Sequence, residues 1–253
     1  MLSKSGRKFL ATYPLLGPRD SPKPLAYQER SVYYWWWQYL RRNKRYLKCC
    51  AGSGEGSLAT LYADFGDVRS GDFRDWWETG NRGAYLFAEL PEPDVVAEIK
   101  QPSEWVQDWN ARSTMVVMVP LSWSKRAIKK AFARLLTKRL TRARGRAPLR
   151  GKASSSARYP LAQNFMIYSL KRDLAVYDAR QAAMAQAKRT GQRRKTWYEI
   201  GCELRFVQSA MPSLDESKVG RDANKVNVMT VATSRAYKRA SRRVALVAKG
   251  CFP

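Results

Sequence analysis

Between Trp109 and Arg172 the chain sets sixteen lysines and arginines and no acidic residue. The chemistry open to such a stretch is polyanion binding, because each phosphate neutralised releases condensed counterions. A solvated helix face ordinarily mixes signs, since opposite charges four residues apart support a helix and like charges oppose it. Unrelieved positive charge over this length is poorly explained as mere solubility. Lys125, Arg126, Lys129, Lys130, Arg134, Lys138 and Arg139 fall on the polar side of an expected helix. Arg142, Arg144, Arg146 and Arg150 fall in a Gly/Ser/Arg-rich loop that should order on contact, by entering a groove. Arg193 and Arg194 sit in a polar link. Arg235, Lys238, Arg239, Arg242 and Arg243 occupy the polar side of the last expected helix. An ordinary basic helix packed on a core is the competing reading of that last group.

Catalytic alternatives are narrower. The chain contains no histidine, which removes histidine acid/base catalysis, Ser-His-Asp and Cys-His nucleophile activation and most zinc sites. Cys49, Cys50, Cys202 and Cys251 form no CxxC pair and no disulfide framework. Asp64, Asp67, Asp72 and Asp75 are grouped, as two-metal nucleases require, but at no recognised metal spacing. Asp72 and Asp75 read instead as the start of a short helix. No Walker-type phosphate loop occurs. No catalytic residue, metal or cofactor is assigned. Metal-independent RNA cleavage by Lys, Arg or Tyr stays open, because charge stabilisation alone assists phosphodiester cleavage.

A second feature is YYWWWQY at Tyr33–Tyr39. Seven positions span nearly two helical turns and cannot all face one core. Trp35 and Trp37 are therefore candidates for exposure, where single-stranded bases could stack on them beside RRNKR. The favoured reading is packing beneath Trp76, Trp77 and Phe87, as a compact module or a protein-protein surface.

These groups need elements to hold them. The chain has 253 residues, with 47 basic and 21 acidic side chains, and its net charge is +26. The charge is segregated, at +9 over residues 1–54, −8 over 55–108 and +25 over 109–253. Two modules are expected, an aromatic and acidic helical one at 1–100 and a basic nucleic-acid-binding one at 101–253. Periodicity places helices at Ser31–Cys50, Leu58–Phe65, Phe73–Thr79, Lys125–Arg142, Leu161–Lys188 and Asp222–Lys249, and a strand at Thr114–Val119. The Lys125 helix should bury Ile128, Phe132, Leu135 and Leu136. Ser122 or Ser124 can cap it. Thr196 with Glu199 makes a capping box ahead of a buried stripe of Ile200, Leu204 and Val207. That helix and the last one could form a helix-turn-helix variant, although the intervening segment exceeds the usual short turn. The fold class is mainly α with a few strands. The apolar-aromatic run at Val32–Trp37 is too short to span a bilayer, and no signal-like segment opens the chain, so a cytoplasmic protein without membrane partners is expected.

WWWQYLRRNKRYLKCC, LYADFGDV, FRDWWETGNRGAYLFAE and the terminal SRAYKRASRRVALVAKGCFP resemble uncharacterised proteins of bacterial prophages, plasmids and integrative islands. The resemblance covers most of the chain and brings no catalytic residue. It implies a mobile-element regulator or a replication/maintenance factor. The expectation is a DNA-binding protein, sequence-directed or architectural. An RNA-binding or RNA-processing protein, such as a ribonucleoprotein subunit, is the alternative.

Overall fold

The run Val32–Leu40 is apolar on every side, and a helix with that pattern has to be surrounded. In the computed structural model, which describes residues 8–69, 71–89, 115–139, 155, 157–161, 164–212 and 222–253, it is. Helix α2 (Val32–Leu40) lies within an aromatic core that residues of several other helices share. Before it comes α1 (Leu25–Gln28); after it come α3 (Lys44–Ala51), α4 (Ala59–Phe65), α5 (Phe73–Glu78) and α6 (Arg82–Phe87). Three longer or later helices follow in the same unit, α8 (Ile167–Thr190), α9 (Trp197–Glu203) and α10 (Ala223–Val247). A separate helix, α7 (Lys125–Arg139), belongs elsewhere.

The chain divides into two units, one made of residues 1–88 with 158–253, the other of 89–157. The division expected at residue 100 differs from this one. Charge changes sign near there, but apolar burial does not follow charge. Helix α2 packs directly against α8 and α10, so both ends of the chain share one core.

The class is mainly α. Extended pairing between described residues includes two isolated bridges, Phe9 with Ala88 and Leu161 with Phe252. The strand expected at Thr114–Val119 is not formed. Met115–Pro120 adopts neither helix nor strand, Met118 is 96% exposed, and Thr114 lies outside the described residues. An apolar run becomes a strand only with a partner to accept its ladder of hydrogen bonds, and none is present there among the described residues.

The helix expected over Ser31–Cys50 is broken at Arg41–Asn43. Asn43 leaves the helical region (φ −80°, ψ 105°), and its side-chain oxygen accepts from the Tyr46 N–H at 2.9 Å, which starts α3. The same amide donates to the Val244 carbonyl of α10 at 2.6 Å. The expected capping box is present. Thr196 Oγ1 accepts from the Glu199 N–H at 3.2 Å, and the Glu199 carboxylate accepts from the Thr196 N–H at 2.6 Å. Of the stripe assigned to α9, Ile200 is buried, whereas Leu204 is exposed because the helix ends one residue earlier and Phe206 fills the core instead.

Helix α10 unites the unit. Its buried face, Met229, Thr233, Ala236, Ala240, Val244 and Val247, meets α9 at one end and the aromatic core at the other. The approach of α9 is close, since a Cβ on Gly201 would lie 2.5 Å from Thr233 Oγ1. The connection from Leu204 to Asp222 is too long for the three- or four-residue turn of a simple helix-turn-helix.

At the centre, Tyr39 donates to the Leu170 carbonyl at 3.0 Å, and burial pushes its pKa up to about 12 against the downward pull of Arg243. The unfolded chain releases this proton near pH 10 while the folded chain keeps it, so the stabilisation is complete below about pH 10 and declines as the pH rises toward 12. Urea midpoints are expected to fall across that interval by the equivalent of about 2 kcal/mol from this group. Tyr39→Phe should flatten the slope. An unchanged slope in the variant would remove Tyr39 as its source.

Candidate nucleic-acid interface

Helix α7 forms where it does because Ser124 precedes a run of good helix formers, and Ser124 Oγ accepts from the Ala127 N–H at 3.3 Å. Lys125, Arg126, Lys129, Lys130 and Arg134 are all exposed and make no ion pair with a described residue. Lys125/Lys129, Arg126/Lys130 and Lys130/Arg134 are like-charge pairs four residues apart, each of which opposes the helix. The helix therefore holds charge that an anion would relieve. Its apolar side differs from expectation. Ile128 and Leu136 are half-buried, but Phe132 and Leu135 are exposed, because no second described helix in this unit lies against them. The side chains of Lys138 and Arg139, and the whole of Arg142, Arg144, Arg146 and Arg150, lie outside the described residues.

In the other unit, acidic side chains take up many of the arginines. Arg42 pairs with Asp178 at 2.7 Å, Arg69 with Asp67 at 2.6 Å, and Arg158 with Asp64 at 2.8 Å. Arg193, a candidate contact, pairs with Glu199 at 2.6 Å, while Arg194 is exposed without a described partner. Arg172 and Arg180 are committed to structure. Arg172 stacks over Phe206 and donates to its carbonyl; Arg180 stacks over Trp197 and donates to the Lys195 carbonyl.

The polar side of α10 splits into two sets. Arg235, Lys238 and Arg242 are exposed and without described partners. Arg239 and Arg243 converge on Asp173 of α8, whose carboxyl is 1% exposed. Arg239 binds it through Nε and Nη2 at 2.9 and 2.7 Å, and Arg243 through Nη1 at 2.6 Å. Reading the sequence placed both arginines on a solvent face and overlooked Asp173. The signal was present: Asp173 falls in the apolar stripe Leu170, Leu174, Tyr177 of α8, where an unpaired carboxylate would be costly.

Trp35 and Trp37 are not stacking platforms, being 5% and 3% exposed. Trp35 Nε1 donates to the Glu29 carbonyl at 2.8 Å. Trp37 packs on Phe73 and Trp76, and Arg41 covers its face at 4.4 Å. The surface candidacy of these rings is corrected because α2 is enclosed on all sides.

The remaining chemistry is sparse. Among the described residues no cluster of three or more Cys, Asp or Glu could hold a metal ion, and no helix is long and apolar enough to cross a membrane. Asp64, one of the grouped carboxylates, is buried and accepts from Arg158 and from the Tyr159 hydroxyl at 2.6 Å, so it ties the chain back onto α4. No protein-family model, no curated protein and no solved structure matches this chain, and its function has to be read from the side chains themselves.

Proposed function

We propose that this chain binds nucleic acid, with double-stranded DNA as its target and a regulatory or architectural role, as in a mobile-element regulator or maintenance factor. The observation that carries the reading is α7, a helix with five exposed cations and no acidic residue. Like charge at four-residue spacing costs helix stability in isolation, and a row of phosphates converts that cost into binding. The charge also favours fast, salt-sensitive association.

The test is binding of the protein, freed of co-purifying nucleic acid, to duplex DNA, single-stranded DNA and hairpin RNA across a salt series. Duplex DNA is expected to bind most tightly. In K125Q/K129Q/K130Q the slope of log K against log salt should shrink by about 3, near one unit for each lost phosphate contact. A hairpin-RNA preference at matched salt would replace DNA with RNA as the target. Absence of salt-dependent affinity for all three would sink the proposal.

A further inference from the structure

Asp173 is almost fully buried and carries two guanidiniums from one helix, Arg239 and Arg243, one turn apart. The two arginines are not equivalent. Arg243 is 19% exposed and lies inward, beside the Tyr39 hydroxyl. Arg239 is 50% exposed and uses its Nε/Nη2 edge on the carboxylate, leaving Nη1 without a described partner. Two positive groups on one carboxylate leave a net positive charge. Half of Arg239 is fixed by the protein, and the other half faces solvent.

A bidentate clamp of this kind changes what an arginine can do. A free arginine loses considerable rotamer entropy on binding an anion, whereas one already held in its fork geometry loses less. The neighbours on α10 fit the same task. Arg235, Lys238 and Arg242 are exposed, and from Arg235 to Arg242 the helix advances about 10 Å. One strand of a duplex passes about three phosphates over that axial distance. The opposite side of α10 is fixed by Met229, Ala236, Ala240 and Val247, each fully buried, so the row is presented on a rigid support. No acidic residue occurs between Ala223 and Val247 to neutralise it. Elsewhere in this unit Arg42, Arg69 and Arg158 each have a carboxylate of their own.

We propose that Arg239, oriented by Asp173, acts with Arg235, Lys238 and Arg242 as a second phosphate-backbone contact, carried by the unit that α7 does not belong to. Asp173 and Arg243 are positioning residues. This deepens the nucleic-acid reading and rests on it.

The test uses the full chain and a short mixed-sequence DNA duplex over a salt series, with far-ultraviolet circular dichroism and thermal melting on every variant. R235Q/K238Q/R242Q, all exposed positions, should shrink the salt slope by about 3 and leave the melting temperature within error. The loss should add to that of K125Q/K129Q/K130Q, because the two sets contact different phosphates. R239K keeps the charge but not the fork, so it should weaken binding several-fold with little change in slope. D173N should weaken binding to a similar degree, and D173N/R239K should be no worse than either single variant. D173N lowers the melting temperature in either case, so binding is compared where the variant is folded, and a merely structural Asp173 would leave binding at the parental value. If the parent protein binds but the α10 triple variant and R239K bind as it does, this proposal is overturned and the α7 reading stands. If the parent protein binds no nucleic acid, both fall.

Discussion

Trp36→Ala is expected to lower the unfolding free energy by about 3 to 5 kcal/mol, measured as the shift in a urea unfolding curve. Trp36 is 0% exposed, and its ring lies 5.1 Å from Phe87, 5.5 Å from Phe252, 6.0 Å from Phe65 and 6.2 Å from Tyr159. These neighbours come from α4, α6, the segment before α8 and the end of the chain, so deleting the ring opens a cavity that separate elements would have to move together to fill. Stacked and edge contacts among aromatic rings add to the lost burial. A loss of that size is a large part of an ordinary domain's stability. Trp36→Phe should cost far less. The indole Nε1 is buried without a hydrogen-bond partner among the described residues, so phenylalanine removes a desolvated donor while keeping most of the ring. A loss under about 1 kcal/mol for alanine would show that the core collapses around the gap, and would remove Trp36 as its centre.

Asn43→Ala should destabilise the fold by about 2 to 4 kcal/mol, from two losses at one side chain. The first is the cap on α3, where Oδ1 accepts from the Tyr46 N–H. The second is the amide donor to the Val244 carbonyl, a bond joining residues 201 apart in sequence. Asn43 is 6% exposed, so water does not readily replace either partner. Asn43→Asp separates the two losses. It preserves the cap acceptor but turns a carboxylate toward a carbonyl, so it should be no better than alanine. Recovery of near-parental stability in the aspartate variant would show that the cap alone matters and that the link to α10 contributes nothing.

The capping box at Thr196–Glu199 and the helix starts at Ser124 and Asp72 were legible because their partners lie within a few residues. The extent of α10 was legible because a 3.6-residue period repeats over seven turns. The break at Asn43 was not legible, and Ser31–Cys50 read as one helix, since one of the two partners of Asn43 is in another helix. Asp173 is 66 residues from Arg239 and 70 from Arg243, and neither helix alone reveals the pairing.

By itself the sequence determined the helical class, the local caps and the excess of positive charge, because each depends on residue type and near-neighbour spacing. Only the tertiary structure decided which charges remain available and which rings are covered. Whether Trp35 or Arg239 meets solvent depends on chain segments far away in sequence, brought there by burial of the shared aromatic core. That core joins the two ends of the chain around α2, because apolar surface is removed from water wherever matching surface is found, regardless of sequence distance.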